Sequence, residues 1–525
     1  MAGLTFERLA ADHPKSEMSR QRRVRREKKQ AAQELRAATA AQPPVRYADL
    51  WLAIAFLLPN LGALACGFLF DDLPVIVQNE VLHPHSLRQF LHIFSVGYWP
   101  DRRGLQLYRP VTEAIWALTW SLGGGNHPWV FHALGLALGC AVVLLLYYFF
   151  IEVQTPPRTA FIASLLFALF PIHTEATTSI VGSAELLAAV FGLAALILYY
   201  RKRPFLAVLL FALAVFSKES AAAFAAVPLV FPRKDWRARD SWIAAAGTAL
   251  VVGGALTAHH LIAVGAFIPP IDNPMGLVSA SQRVLTALWI QCLYLFKTLV
   301  PITLSADYSY KQIRLVMGLD DPRAWAGLAL VAGAGILAWR SRPLRAPVLV
   351  YAILFSATSN VLFPIGTIMG ERLAYVPSLA VALLLAMLLA RSRHWKEVLI
   401  VVAVAFAART AVRNLDWLNA NRFYTKLLQT SPHSAKAYYF YGILRASHGD
   451  DVGAIQAYDR AIAIFPAYSE AFHNRGNALA RLGRRNEAME SYRQCLRFDP
   501  GHGGAAANLM RLEAGLPVNP PRQHL

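Results

Sequence analysis

Apolar runs long enough to cross a bilayer recur along this chain and constrain its fold more than any other feature. Several runs reach the roughly 17–25 residues that a membrane-spanning helix needs. Of the 525 residues, 56% are hydrophobic and only 16% are charged, whereas soluble domains have about 45–50% apolar and about 25% charged residues. The sequence therefore predicts an all-α fold with a polytopic membrane domain.

Short basic clusters separate the apolar runs and indicate how the chain is threaded. The net charge of +19 does not indicate a nucleic-acid-binding protein, because the clusters are scattered as in cytoplasmic loops. One threading of the chain, with about 11 spans, places every basic cluster on the cytoplasmic side of the membrane. It requires that 71–128 stays outside and that 284–304 lies in the membrane plane or re-enters it. The clusters fall at residues 158, 201–203, 233–239, 340–345 and 391–396.

The N-terminal segment 1–47 is polar and contains the dense basic run RQRRVRREKK at 20–29. It is predicted to be a disordered cytoplasmic tail that holds the N-terminus inside, with binding to lipid headgroups as the alternative. A cleavable signal peptide is not expected, because no apolar core follows the start. The four cysteines form no CxxC motif, so neither a disulfide framework nor a zinc site is predicted.

A 34-residue repeat replaces the apolar runs after residue 413. This is the period of the tetratricopeptide repeat, a helix–turn–helix unit in which small residues allow close helix packing. About two and a half repeats are predicted over 415–512, followed by a tail at 513–525, and the tyrosines are expected in the packing core. The periodic residues are prolines 432, 466 and 500, tyrosines 424, 458 and 492, and alanines 420, 454 and 488.

Polar residues gather at the span ends that this threading places outside. The first span ends in FDDLPVIVQN on Asp71 and Asp72, and a carboxylate at such a boundary is a functional candidate because charge is costly inside the bilayer. Their convergence on one face predicts a polar site there. The other members are Arg109, Glu113, His173, Glu175, Glu185, Lys218, Glu219, Asp307, Glu371 and Arg372.

Most of these residues also have a structural explanation. The acidic pair would cap the following helix, His173 would bond to a backbone carbonyl in the core, and Glu185 would pair with an arginine. The Lys–Glu pair at 218–219 would form an ordinary turn, and Arg372 would extend to the membrane interface. Asp307 is better explained as a turn residue.

Several motifs, in this order and spacing, resemble those of the transmembrane and tetratricopeptide-repeat O-mannosyltransferases and their bacterial relatives. These are type C (GT-C) glycosyltransferases that use lipid-phosphate sugars. The resemblance covers about residues 49–510, and it implies a GT-C domain over 48–414 whose outer loop 71–128 bears the catalytic acid. Many relatives carry more repeats. The motifs are FDDLPVIVQN, LYRPVTEAIW, FPIHTEATTSIVGSAELLA, FSKES and GERLAYVPS, followed by the repeats.

The chemistry of sugar transfer assigns a role to the acidic pair. An acceptor hydroxyl needs a base within hydrogen-bond reach as it attacks the anomeric carbon. We predict that one of Asp71 and Asp72 is this base and that the other orients it or a loop backbone. Asp71 is favoured by position alone.

The remaining candidates are assigned to donor and acceptor binding. A departing lipid phosphate gains negative charge that cations stabilise, so Arg372, Lys218 and Arg109 are predicted to bind the donor phosphate. No metal and no cofactor are predicted. Sugar or acceptor contacts are predicted for His173, Glu175, Glu185 and Glu371.

The predicted function is a membrane glycosyltransferase that inverts the anomeric centre. It moves mannose or a similar sugar from a polyprenyl-phosphate donor to a protein or glycan hydroxyl on the periplasmic or luminal face. The repeats would recruit the acceptor, because stacked helix pairs form a concave surface. The chain contains no N-x-S/T sequon, which favours a bacterial inner membrane over an endoplasmic-reticulum membrane.

Two other classes of function are compatible with parts of the pattern. A non-enzymatic transporter or membrane anchor could carry the repeats, but transporters place polar residues near the bilayer midplane, in repeated halves. An oligosaccharide ligase with repeats would also use a lipid-linked donor, although an acidic pair after the first span is not its expected feature.

Overall fold

The computed structural model describes residues 45–99, 107–125, 127–262, 268–518 and 520. Within these ranges the secondary structure is helical and contains no strand, as the sequence predicts. The basic run at 20–29 and the C-terminal residues 521–525 lie outside the described residues, so the predictions for them stay predictions.

Six helices are long and apolar enough to cross a membrane, and one bent pair would make a seventh. The bent pair, Pro157–Leu169 with Pro171–Thr178, turns by 52°. These helices and the relatives described below indicate a multi-pass membrane protein. The six are Ala48–Ala65, Pro128–Glu152, Ser183–Tyr200, Arg239–Ile262, Pro322–Arg340 and Trp395–Trp417.

The predicted count of about 11 spans is not reached by this criterion. The other apolar runs form helices shorter than the roughly 20 residues that a straight span needs. Prolines and polar residues divide these runs into separate helices. They are Pro204–Ser217, Glu219–Val230, Arg342–Ser356 and Ser378–Leu389.

The run that was predicted not to cross forms the helix Ala280–Leu299, which is not among the six. A capping box starts this helix: the Gln282 amide donates to the Ser279 hydroxyl, and the Gln282 side chain accepts from the Ser279 amide at 3.2 Å. The helix packs against Pro322–Arg340.

The loop after the first span folds into short helices that form a small core of their own. Val75, Ile76 and Trp116 are buried there against Ile180 and Val181 of the bent region. The loop is therefore packed onto the ends of later membrane helices. Its helices are Leu73–Val77, Glu80–Leu82, Leu87–His92, Ile93–Ser95, Pro110–Thr119 and Trp120–Gly124.

The C-terminal helices form the predicted repeats. Tyr458 packs on Gly442 and Tyr492 on Gly476, where an added Cβ would lie 2.5 and 2.6 Å from the rings. The prediction that these tyrosines form the packing core is therefore confirmed. The helices are Ala420–Thr430, Ala435–Ser447, Asp451–Ile464, Ser469–Arg481, Arg485–Phe498 and Gly503–Glu513.

The first repeat packs directly against the end of the first span. The Phe70 ring lies 5.8 Å from that of Phe423 and 5.0 Å from that of Phe440. Leu69 and Trp417 are buried in the same cluster. The repeats are thus attached beside the acidic pair that follows the first span.

Candidate active site

A cavity of about 200 Å3 lies where the outer loop, several membrane-helix ends and the first repeat meet. We call it the outer cavity. Two other cavities are larger, at about 500 and 420 Å3, but no carboxylate lines either of them within the described chain. The acidic and basic residues that line the outer cavity are Asp71, Arg109, Glu175, Glu185, Lys218, Glu219, Asp272, Asp307, Arg372 and Lys436.

Arg372 connects two carboxylates across the outer cavity. Its Nη2 lies 3.4 Å from Asp71 Oδ2, and its Nη1 lies 3.4 Å from Glu175 Oε1. The Arg372 backbone amide also donates to Glu175 Oε2 at 3.0 Å. Burial lowers the pKa of Arg372, but the two carboxylates outweigh burial and raise it above its ordinary value. Asp71 and Arg372 are each 28% exposed, so a ligand can reach both.

Asp72 points away from the outer cavity and into the protein. Its Oδ1 accepts a hydrogen bond from the Val181 amide at 2.9 Å, and its Oδ2 accepts one from the Leu69 amide at 3.2 Å. Burial raises the pKa of Asp72 to about 7, although these hydrogen bonds act in the opposite direction. The two residues of the acidic pair therefore occupy different environments, and Asp72 attaches the loop to the 179–183 turn.

The other two predicted phosphate-binding cations also have carboxylate partners. Lys218 forms an ion pair with Glu185, and both side chains are only 5% exposed. Arg109 binds Glu219 through two hydrogen bonds of 2.9 and 2.7 Å. Each predicted cation is thus held at the cavity wall by its own carboxylate.

Two predicted sugar- or acceptor-binding residues lie behind the wall. His173 Nε2 lies 2.7 Å from Ser378 Oγ in a buried aromatic cluster. Glu371 is fully buried and accepts a hydrogen bond from the Ser305 amide at 2.7 Å. Neither side chain lines the outer cavity, and their contact with a sugar or an acceptor stays a prediction.

Three further charged residues line the outer cavity, and of these the sequence pattern included only Asp307, without a binding role. Asp307, interpreted as a turn residue, is buried and accepts a hydrogen bond from the Ser309 hydroxyl at 2.9 Å. Asp272 and Lys436 form an ion pair. Asp272 follows two prolines in an irregular loop, and Lys436 lies in a repeat helix, so no motif identified either one.

Comparisons with known proteins match two parts of the chain to families. Residues 267–335 match the model described as protein O-mannosyl-transferase TMTC, DUF1736. Residues 469–502 match the tetratricopeptide repeat. The first match includes Asp272 and Asp307 of the outer cavity, and the second covers the second full repeat.

Curated relatives are similar over most of the chain. Protein O-mannosyl-transferase TMTC3 of Mus musculus is 27% identical in an alignment 492 residues long that covers 82% of this chain and 52% of the relative. Protein O-mannosyl-transferase F38B6.6 of Caenorhabditis elegans is 28% identical in an alignment 433 residues long that covers 79% of this chain and 62% of the relative.

A third relative, protein O-mannosyl-transferase TMTC1 of Homo sapiens, is 27% identical in an alignment 478 residues long that covers 78% of this chain and 54% of the relative. The chain thus spans about half the length of the curated relatives it matches. The two family matches and these relatives agree with the motifs found between residues 70 and 378. The chain is thus similar to the TMTC proteins over most of its length and carries tetratricopeptide repeats.

Proposed function

We propose that this protein is a membrane mannosyltransferase that moves a mannosyl group from a polyprenyl-phosphate donor to an acceptor hydroxyl. The contact between Asp71 and Arg372 supports this proposal most directly, because a carboxylate that could act as a base lies beside a guanidinium that could bind phosphate, in an accessible cavity. The names of the relatives, protein O-mannosyl-transferases, support mannose as the sugar and a protein as the acceptor.

The reaction is a single displacement that inverts the anomeric centre. The Asp71 carboxylate accepts the proton of the acceptor hydroxyl as its oxygen forms a bond to the anomeric carbon. The bond between that carbon and the phosphate oxygen breaks, and its electron pair leaves with the lipid phosphate. Arg372 stabilises the charge that develops on the phosphate.

The remaining charged groups of the outer cavity surround these two residues. Arg109 and Lys218 add positive charge for the phosphate, while Glu219 and Glu185 hold them in place. Glu175 orients Arg372 in two ways: its carboxylate pairs with the Arg372 guanidinium and accepts a hydrogen bond from the Arg372 backbone amide. Glu175 and Glu185 also offer acceptor oxygens to sugar hydroxyls.

We propose that the outer cavity faces the periplasm or an organelle lumen. The six long helices, the bent pair and the four shorter helices together supply about 11 crossings, if the short ones cross a locally thinned or shielded region. All basic clusters then lie on the cytoplasmic side, and the first repeat shares a face with Asp71. A bacterial inner membrane is the favoured location.

The proposal is tested with purified full-length protein in lipid nanodiscs. We expect mannose transfer to threonine-containing peptides from polyprenyl-phosphate mannose and none from a nucleotide-linked mannose. Transfer from the nucleotide donor alone would contradict the lipid-linked donor. No turnover of either donor would contradict the transferase assignment.

A further inference from the structure

The first full repeat is hydrogen-bonded to the segment 305–310 of the membrane domain, part of which lines the outer cavity. The Ala435 amide donates to the Tyr310 carbonyl at 2.7 Å, and the hydroxyls of Ser305 and Ser431 lie 2.7 Å apart. These bonds fix the start of the helix Ala435–Ser447 against the membrane domain. The repeat is therefore part of the cavity wall.

Lys436, the second residue of this helix, extends into the outer cavity. Its ammonium forms an ion pair with Asp272, and its side chain is 21% exposed. Burial lowers the pKa of Lys436, but the carboxylates of Asp272 and Asp307 outweigh burial and raise it above its ordinary value. The side chain is therefore charged at neutral pH and still accessible from the cavity.

We infer that Lys436 binds the acceptor, by donating a hydrogen bond from its ammonium to a carbonyl oxygen of the acceptor peptide. This inference rests on the proposed function. An ammonium group has three N–H donors, and the ion pair with Asp272 engages only part of them. A donor group of this kind is suited to a peptide backbone that passes through the cavity.

The position of Lys436 favours the acceptor over the lipid donor as its ligand. The donor's hydrocarbon chain must stay in the membrane, and Arg109, Lys218 and Arg372 all come from membrane-domain segments. Lys436 approaches from the repeat side, from which a water-soluble acceptor would enter.

The local charge also limits what the ligand can be. Asp272 and Asp307 place two carboxylates beside this one ammonium, so a neutral carbonyl oxygen is accommodated better than a further carboxylate.

The test compares Lys436→Met with wild type in the full-length protein. The probes are polyprenyl-phosphate mannose and a synthetic peptide with a single threonine, and donor hydrolysis is measured without peptide. We expect the KM for the peptide to rise roughly tenfold or more, as for loss of a hydrogen bond to a charged group. The rate of donor hydrolysis should stay within about twofold of the wild-type rate, because hydrolysis does not involve the peptide.

Three further variants separate acceptor binding from a structural role. Lys436→Arg should retain most of the peptide affinity, and Lys426→Met, on the preceding helix, should match wild type. Asp272→Asn should raise the peptide KM less than Lys436→Met does. If Lys436→Met does not fold, Lys436→Ala, which also lacks a side-chain donor, takes its place with the same expected rise in KM.

The outcomes distinguish failure of the inference from failure of the proposed function. An unchanged peptide KM in Lys436→Met, or equal losses in peptide transfer and donor hydrolysis, would overturn the inference alone. Donor hydrolysis by wild type without any peptide transfer would also overturn it. If wild type does not turn over the donor at all, the proposed function is contradicted, and the inference that rests on it falls with it.

Discussion

Arg372 lies 3.4 Å from Asp71, although 301 residues separate them in the chain. Asp71 lies in a turn that follows the first membrane helix, Ala48–Ala65, and Arg372 belongs to a short helical turn, Glu371–Ala374, that precedes the helix Ser378–Leu389. Their contact brings a potential base and a potential phosphate ligand to one point. The proposed reaction depends on this relationship.

Asp71→Asn should lower the rate of sugar transfer about 100-fold or more, because general-base catalysis typically contributes about 10²–10⁴. The variant should remain folded, since the Asp71 side chain is partly exposed. The measurement is mannose transfer by purified protein, with a thermal melt of each sample. Full activity of Asp71→Asn would leave this residue as a boundary group without a catalytic role.

Arg372→Ala should weaken use of the donor by about 100-fold in kcat/KM, because a preorganised cation opposite developing charge has effects of this size. Arg372→Lys should lose less, since it keeps the charge but not the fork that reaches both carboxylates. Donor titrations at saturating acceptor give the comparison. If donor kinetics are the same in wild type and Arg372→Ala, the arginine only anchors the interface.

Asp72→Ala should destabilise the fold by about 1–3 kcal/mol, because the amides of Leu69 and Val181 lose their acceptor in a buried place. Asp72→Asn keeps one acceptor oxygen and should be milder. Thermal melts at fixed pH measure the difference. Equal stability of Asp72→Ala and wild type would show that the two hydrogen bonds contribute nothing.

The stability contributed by Asp72 should depend on pH. Its pKa is raised from an ordinary 3.8 to about 7 in the folded protein, so between these values the folded state holds a proton that the unfolded state lacks. Stability then falls as pH rises from about 4 to 7 and levels off above. Wild type should lose more stability than Asp72→Asn between pH 5 and pH 8, and parallel curves would contradict this.

Lys218→Met should destabilise the protein by about 3–5 kcal/mol, because it leaves Glu185 charged and buried without a partner. The double variant Lys218→Met with Glu185→Gln removes both charges and should recover most of the stability. Its sugar transfer should remain low if Lys218 helps to bind the phosphate. Recovery of full activity in the double variant would make the pair purely structural.

The C-terminal repeats should face the periplasm or lumen. A phosphatase fused to the C-terminus should be active there, and a reporter that needs the cytoplasm should be silent. The physical reason is the attachment of the first repeat to the cavity wall beside Asp71. The reverse pattern of reporters would contradict the proposed topology of the whole membrane domain.

Hydropathy and the 34-residue period were enough to predict a helical membrane domain followed by tetratricopeptide repeats. Both signals are local: a span needs a run of apolar residues, and a repeat needs small and aromatic residues at regular positions. The number of spans was less predictable, because runs divided by proline and polar residues form short helices such as Pro204–Ser217.

The sequence by itself determined that charged residues would gather at the helix ends on one side of this protein. Only the tertiary structure decided which of them share the outer cavity. Asp71 and Asp72 are neighbours, yet one faces Arg372 and the other accepts hydrogen bonds from backbone amides. Lys436 reaches the outer cavity because its repeat helix is hydrogen-bonded to the segment 305–310. Side-chain direction depends on packing between distant segments, and no local pattern in the chain records it.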